Sequence, residues 1–337
     1  MSESSKAAII VLNWNGWKDT VDCLESLAHL ENRRFSIIVC DNASTDDSVA
    51  RIKSWAAMEL ERINAGRVAA AKEPFNFIDR SDAASLQQGA QGDSNAIVLI
   101  QTGRNGGYAA GNNVGMRHAL ANGFDYFWVL NNDVEVEPDA LTWLIRRMGD
   151  DPGIGICGST LIYHGQRDLV QNLGGAWFIR SKGRGVGVGA QSDARAPIDQ
   201  AAVEAQLDYV SGASMFVSRE FLEKIGLMQE DYFLYYEELD WAARARGLFR
   251  LGYAAKSIVY HKVGATIGTN DFGERSALAD YYMARSRIRC CARFFRTSLP
   301  FVLFDVSRKA LRYARRGEWS RAANLARAIV GMRFAGA

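Results

Sequence analysis

Short apolar runs alternate with stretches of helical spacing through the first half of the chain. The runs near 8–12, 35–40, 96–101 and 124–130 are rich in Ile, Val and Leu and too short for helices, so they predict buried strands. The segments near 17–28, 45–60, 109–121 and 138–148 predict helices between them. This alternation predicts an α/β fold, a mostly parallel sheet flanked by helices. Ser44-x-x-Asp47 has the form of a capping box at the second helix. From about 65 to 94 the rhythm fails among Gly, Gln, Asp and Ser residues, which predicts a surface insertion. After Gly153 a second block begins. Its Gly-rich stretch from Gly174 to Gly189 reads as a hairpin or a disordered loop. A strand from Tyr209 to Val217 leads into a helix from Arg219 to Lys224, and another helix starts near Glu237. Lys256 to Tyr260 predicts a strand ending at His261, and beyond Asp280 the pattern is helical and basic.

The run Phe127 to Leu130 breaks into Asn131, Asn132 and Asp133, where a strand of an open sheet would end. Ligands of such sheets gather at the carboxyl ends of strands. Oxygen ligands suit a hard cation such as Mg²⁺ or Mn²⁺, and that cation suits a diphosphate. The alternative is a loop whose Asn and Asp cap the helix after Pro138. Asp41 follows a strand in the same way, so its carboxylate can accept hydrogen bonds from a nucleotide ring N–H or ribose hydroxyl, or simply make a turn. Gly103 to Gly115 opens a helix whose glycines and free N–H groups suit close approach of a phosphate. Its spacing is not the G-x-G-x-x-G of dinucleotide folds.

Composition narrows the class. A hydrophobic fraction of 48% with 23% charged residues is that of a soluble globular protein, and 337 residues allow one large α/β domain with an appendage, or two domains. The five cysteines have no disulfide or zinc spacing and predict free thiols in a reducing cytosol. Neither a signal peptide nor a membrane-spanning run is expected. The net charge of +2 conceals asymmetry. From Tyr281 onward twelve arginines and Lys309 face two carboxylates, a balance of +11, which leaves −9 for the rest. Residues 281–337 are therefore expected to meet an anionic membrane surface, at the inner face of the cytoplasmic membrane. Leu303, Val306, Ala310 and Tyr313 form one helical face there, to rest on lipid or to dock on the rest of the protein. No nucleic-acid recognition module is present.

Four ordered segments carry a resemblance. They are Ile9-Ile-Val-Leu-Asn-Trp-Asn-Gly16, Ile37-Ile-Val-Cys-Asp-Asn-Ala-Ser-Thr-Asp-Asp-Ser48, Asn131-x-Asp133, and Asp208-Tyr-Val-Ser-Gly-Ala-Ser-Met215 with Tyr235-Tyr-Glu-Glu-Leu-Asp-Trp241. Together they resemble the GT-A glycosyltransferases of family 2, over roughly residues 7 to 265. The resemblance implies a GT-A catalytic domain over 1–265 and a basic helical extension over 266–337. It implies an inverting transferase, most similar to rhamnosyltransferases, that moves a sugar from dTDP-rhamnose or a UDP-sugar to a saccharide or lipid-linked acceptor in cell-surface polysaccharide synthesis. Asn13, Asn15, Asp41, Asn105, Gly107, Asn112 and Asn132 would bind the donor. Asp133, Asn131 and His261 would hold Mg²⁺ or Mn²⁺, with Asn131 standing where the family often has Asp. Glu238 would be the base, where Asp is commoner, with Glu237 and Asp240 beside it. The alternative for these acids is a helix N-terminus favoured by its dipole. Tyr236 and Trp241 would stack on sugar rings or pack in the core. A homo-oligomer is allowed. Rival readings are a sugar-nucleotide-binding protein with a degenerate site and a sugar nucleotidyltransferase.

Overall fold

The computed structural model describes residues 6–32, 34–80, 95–262 and 276–335. Residues 81–94 of the expected insertion and 266–275 of the expected extension lie outside the described residues. The chain begins with β1 (Ala7–Asn13), α1 (Trp17–Ala28), β2 (Phe35–Asp41), α2 (Ser48–Ala69), β3 (Asn76–Arg80) and β4 (Ala96–Gln101). It continues through α3 (Gly107–Ala121), β5 (Tyr126–Asn131), β6 (Val134–Val136), α4 (Ala140–Asp150), β7 (Ile154–Tyr163) and β8 (Gln166–Leu173). Then come β9 (Gly175–Ile179), β10 (Arg184–Gly187), α5 (Gln200–Glu204), β11 (Tyr209–Val210), β12 (Ser214–Ser218) and α6 (Arg219–Ile225). Last are α7 (Glu237–Ala245), β13 (Arg250–His261), α8 (Ala277–Phe294), α9 (Leu299–Arg315) and α10 (Trp319–Ile329).

One sheet runs β3-β4-β2-β1-β5-β12-β7-β13-β6, with β8 paired to β7. The pairs from β3 to β5 are all parallel, as is β7 with β13, while β12 runs antiparallel between β5 and β7. Strands buried on both faces explain the unbroken apolar runs. Ile9 and Val11 join a core with Leu24 of α1, Ile52 of α2 and Leu144 of α4. Ile10 points the other way, into a core with Met116 of α3, Phe221 of α6 and Trp241 of α7. The chain winds outward from β1 in both directions, so the crevice between the ends of β1 and β5 is the topological switch point where ligands of such sheets bind.

Local patterns misread three places. The capping box does not form: α2 starts at Ser48, and Ser44 instead turns its hydroxyl to Asp41, 2.6 Å away. Within the expected insertion, 65–69 complete α2 and 76–80 form the edge strand β3, parallel to β4. The Gly-rich stretch is a hairpin of β9 and β10. The strand expected from Tyr209 is split at Ser211 to Ala213, and that turn proves useful to the site.

The terminal helices share a core with the body of the protein. Val302, Val306 and Tyr313 of α9 and Leu325 of α10 pack with Cys290, Cys291, Phe178, Tyr232 and Leu239. The face containing Val306 and Tyr313 therefore docks on protein and not on lipid. All five cysteines are free and buried, and burial raises each thiol above its ordinary value.

Asp240 fastens this junction. Its fully buried carboxylate accepts from Tyr232 Oη (2.9 Å), Arg244 Nε (2.8 Å) and Arg293 Nη1 of α8 (2.9 Å). Removing one partner of a buried ion pair leaves the others unpaired in a poor solvent. Asp240→Ala is expected to cost about 3 kcal/mol of unfolding free energy in urea titrations. A loss within ~0.5 kcal/mol, the range of an ordinary surface change, would contradict this role.

Candidate active site

Register places the polar residues side by side. Asn13 ends β1 opposite Asp41 at the end of β2, Asp41 lies opposite Gln101, and Asn131 ends β5 opposite Leu12. Asp41 is buried. Its Oδ1 accepts from Asn13 Nδ2 (2.7 Å) and Ser44 Oγ (2.6 Å), and Oδ2 accepts from the Ser44 backbone N–H (3.0 Å). A carboxylate offers about four lone-pair positions, so a ligand N–H or hydroxyl still has one available.

Several residues expected to touch a donor also hydrogen-bond to the loops at the strand ends. Asn13 also accepts from Thr20 Oγ1 (2.8 Å) and is fully buried. Asn15, at φ +51°, accepts from the backbone N–H of Thr45 at 2.8 Å. Asn132 donates to Thr20 Oγ1 (3.0 Å) and to the Gly16 carbonyl (3.2 Å), fixing α1 to the end of β5. Asn105 accepts from Asn42 Nδ2 and from the Gly107 N–H, both at 3.0 Å. Asn112 donates to the Tyr108 carbonyl (3.0 Å), and its buried Oδ1 has no hydrogen-bond partner.

The start of α3 is not open to phosphate. The Gly107 N–H is taken by Asn105 Oδ1, and the Tyr108 N–H donates to the Phe233 carbonyl at 2.7 Å. Gly107 has φ +87°, and a Cβ there would lie 2.2 Å from the Phe233 carbonyl oxygen. Its lack of a side chain brings α3 against the turn before α7. Gly111 and Gly115 serve helix–sheet packing: a Cβ on either would meet Leu12 Cδ1 at 2.3 Å or Ile10 Cγ2 at 2.7 Å.

Beside β5, three side chains meet. His261, at the end of β13, places Nε2 3.3 Å from Asp133 Oδ1 and 3.4 Å from Asn131 Nδ2. Its Nδ1 lies 2.8 Å from Gln171 Oε1. An amide oxygen only accepts, so Nδ1 carries a proton toward Gln171 and Nε2 faces Asp133. Burial opposes ionisation of Asp133, yet His261 and the hydrogen bonds around it hold its carboxyl below the ordinary value. Asp133 Oδ1 is buried and receives no hydrogen bond. A buried carboxylate oxygen without a hydrogen bond, an imidazole nitrogen and a nearby amide are a donor set that fits a divalent cation. Among the described residues no cluster of three His, Cys, Asp or Glu occurs, so the remaining ligands must come from elsewhere. Glu135 is not among them, because it pairs with Arg167 (2.6 Å) and His164 (3.2 Å).

Across the crevice the chain makes an unusual turn. Phe233, Tyr235 and Tyr236 have φ of +67°, +67° and +72°, and Tyr236 leads into α7. Left-handed aromatic residues cost roughly 1–3 kcal/mol each and persist where surrounding structure enforces them. The turn delivers Glu237 and Glu238 to the first turn of α7. Burial, then the charge of Glu238, pushes Glu237 well above the usual carboxyl range, and its Oε2 has no hydrogen-bond partner. Burial lifts Glu238 to about 7.

Tyr108 joins the two sides, a residue the sequence reading passed over. Its hydroxyl donates to the Gly212 carbonyl at 2.5 Å, in the turn between β11 and β12. Burial raises its pKa, followed by the charges of Glu237, Glu238 and Asp133. A Cβ on Gly212 would lie 3.9 Å from Glu238 Oε1, and the neighbouring Ala213 carbonyl accepts from the Asn131 N–H at 3.1 Å. Glu238 also lines a cavity of about 440 Å³ with Tyr209, Tyr235, Tyr236, Arg287 and Lys309. That volume is within the range of small-molecule sites, roughly 300–1,000 Å³. Trp241 is outside this group: it is fully buried, packs edge-on against Phe221 and donates to the Gly226 carbonyl. Tyr108 was signalled only as the aromatic residue in a Gly-rich segment, and Gln171 by nothing local.

A model of the family described as "Glycosyl transferase family 2" matches residues 8–69 and 79–226. The low-salt glycan biosynthesis hexosyltransferase Agl10 of Haloferax volcanii is 28% identical over 173 residues, which are 51% of this chain and 53% of that protein. The chain thus spans about half the length of the curated relative it matches. The mannosyltransferase PcManGT of Pyrobaculum calidifontis, solved in complex with GDP-Man and Mn²⁺, superposes with a TM-score of 0.55 at 13% identity, covering 98% of this chain and 88% of that one. GalNAc-T7, solved with UDP, GalNAc and Mn²⁺, also reaches 0.55 at 12% identity, covering 86% and 48%. At these identities the solved structures speak for the fold.

The Glu237–Glu238 pair makes a prediction independent of any ligand. Unfolded, Glu237 ionises near its ordinary value of 4.5, whereas the folded site resists ionisation well above that. Folding therefore loses stability as pH rises from the unfolded value toward the folded one. Glu237→Gln carries no titrating group there, so it should melt higher than the parent at about pH 8, with a gap that shrinks toward about pH 5. Parallel melting curves across that range would contradict the buried-pair geometry.

Proposed function

The chain belongs to glycosyl transferase family 2 and has a GT-A fold, and on that premise we propose that it transfers a sugar from a nucleotide-diphosphate donor to an acceptor hydroxyl. The observation that carries this reading is the pairing of His261 with Asp133 at the strand ends, with Tyr108 Oη and Glu238 Oε1 both against Gly212 in the turn whose Ala213 carbonyl accepts from the Asn131 N–H. Asp41, aligned by Asn13 and Ser44, takes a nucleoside N–H or hydroxyl. Asp133, His261 and Asn131 hold a divalent cation, and the imidazole in this set favours Mn²⁺ over Mg²⁺. When bound, that cation offsets negative charge on the diphosphate.

The acceptor enters the cavity lined by Tyr209, Tyr236 and Glu238. Four of its charged groups occur as ion pairs, Arg287 with Asp305 (2.8 Å) and Lys309 with Asp280 (2.6 Å), while Arg184 and Glu238 stand outside them, a polar lining suited to a sugar unit. The acceptor oxygen forms a bond to the anomeric carbon from the face opposite the leaving group. The bond from that carbon to the diphosphate oxygen breaks, its electron pair departs with the nucleotide diphosphate, and configuration inverts. The hydroxyl proton passes to the Glu238 carboxylate. With a carboxyl poised at about 7, Glu238 is ionised in a useful fraction of molecules at neutral pH and still basic enough to accept that proton. Glu237 remains protonated beside it, so that one charge and not two occupies the site. Asp240 has no part in this step, because its oxygens are committed to Tyr232, Arg244 and Arg293. The donor class is dTDP-rhamnose or a UDP-sugar, and the acceptor a saccharide or lipid-linked saccharide of a surface polysaccharide.

Thermal shift with a panel of nucleotide sugars, with and without Mn²⁺, identifies the donor and tests the metal assignment. Asp133→Ala should lose the Mn²⁺-dependent part of the shift and keep its unliganded melting temperature within a few degrees. Metal dependence unchanged in that variant would contradict it. With the donor known, Glu238→Gln should keep donor binding while transfer falls by about a hundredfold or more. In the parent, transfer should rise with pH through about 7. An active Glu238→Gln would move the base elsewhere.

A further inference from the structure

Helix α9 has two unlike faces. Val302, Val306 and Tyr313 point into the core shared with the catalytic part, and Asp305, Val306 and Lys309 line the cavity beside Glu238. The opposite face carries Phe301, Phe304, Arg308, Leu311, Arg312 and Arg315. On a helix of 3.6 residues per turn these six fall within an arc of about 100°. All six are exposed, Phe304 to 64% and Leu311 to 55%. Trp319, at the turn into α10, is exposed to 70%.

Large apolar side chains set among arginines along one exposed face are costly in water and have a natural solvent at a membrane interface. Aromatic rings settle at headgroup level, and arginines reach the lipid phosphates while their stems remain in the apolar layer. Charge selects the sign of that surface. The face itself carries Arg308, Arg312 and Arg315, of which Arg308 also pairs with Asp305 (3.5 Å). It lies within a segment that from Tyr281 onward carries +11 against −9 for the rest of the chain, so an anionic bilayer attracts it. We propose that Phe301, Phe304, Leu311 and Trp319, with Arg308, Arg312 and Arg315, seat α9 on an anionic lipid bilayer. This corrects the expected lipid face: Val306 and Tyr313 hold the helix to the protein, and the reverse side meets the membrane. The inner face of the same helix lines the acceptor cavity, so docking sets the cavity beside the headgroups, where the sugar of a lipid-linked acceptor would lie. That last consequence rests on the proposed transferase reading, whereas the docking does not.

The test uses the full chain and vesicles. Co-sedimentation is measured on phosphatidylglycerol-containing vesicles and on pure phosphatidylcholine vesicles, at low and high salt. The parent should bind the anionic vesicles in low salt and lose binding as salt rises, since screening shortens the reach of surface charge. Phe304→Ser with Leu311→Ser, and separately Arg312→Gln with Arg315→Gln, should each weaken binding by about tenfold or more. Neither pair touches the cavity or the strand ends, so both should keep parental circular dichroism and the parental thermal shift with the donor. Equal binding to the two vesicle types, or binding unchanged in both double variants, would overturn the proposal. So would loss of a parental dimer in the apolar double variant at sedimentation equilibrium, which would make the face a contact between copies. A failure of transfer with vesicle binding intact would count against the transferase reading alone.

Discussion

Gly107 and Phe233 approach so closely that a single methyl group would separate them. The start of α3 belongs to the half of the sheet that holds Asp41 at a strand end beside Asn13, and Phe233 belongs to the turn that launches α7. Their contact, sealed by the Tyr108 N–H on the Phe233 carbonyl, sets the distance between strand ends and acidic helix. It also carries the left-handed conformations of Tyr235 and Tyr236. A strained turn of this kind relaxes unless something outside it prevents relaxation. Here Ser286 of α8 donates to the Leu234 carbonyl (2.8 Å), and Tyr236 Oη donates to the Gly183 carbonyl (2.8 Å). The terminal helices and the β9–β10 hairpin thus brace the turn from behind. The placement of Glu237 and Glu238 depends on all three.

Carboxylates forced together in a dry site do not ionise independently. Glu237 lacks a partner for one oxygen, and the charge of Glu238 adds to its burial. The arrangement keeps one proton on the pair near neutrality and makes the other carboxylate a usable base. Asp133 is also buried but lies beside an imidazole, and its proton is released at lower pH. The two acids are driven apart by their neighbours, as the proposed separation of a charge-holding role from a proton-accepting one requires.

Local pattern was enough for the sheet. Strands buried on both faces must be apolar throughout, so Ile9 to Leu12, Ile37 to Cys40 and Phe127 to Leu130 announce themselves, and oxygen-rich residues after them fall at the strand ends. Roles that depend on tertiary partners were not legible. Ser44 has capping-box spacing, but its oxygen accepts from the Asn15 N–H (2.9 Å) and the Asn13 amide (3.1 Å) while its proton goes to Asp41. Asp240 shares the acidic motif with Glu238, yet Arg244 and an arginine 53 residues away claim it. The amphipathic pattern of α9 shows an apolar face without saying what covers it. Its second face escapes notice because Phe304 and Leu311 are interleaved with arginines. Tyr108 and Gln171 act through atoms on distant strands, and nothing adjacent in sequence marks them.

The central claim is that Glu238, half-buried at the start of α7, is a carboxylate whose proton is released near neutrality because the fold shields it from water. Carboxyl carbon resonances of a glutamate-labelled sample, followed across pH, read this directly. The account predicts a resonance titrating at about 7 that persists in Glu237→Gln and vanishes in Glu238→Gln. If every glutamate resonance titrated near the ordinary value of 4.5, the site would not be the buried acid pair described here.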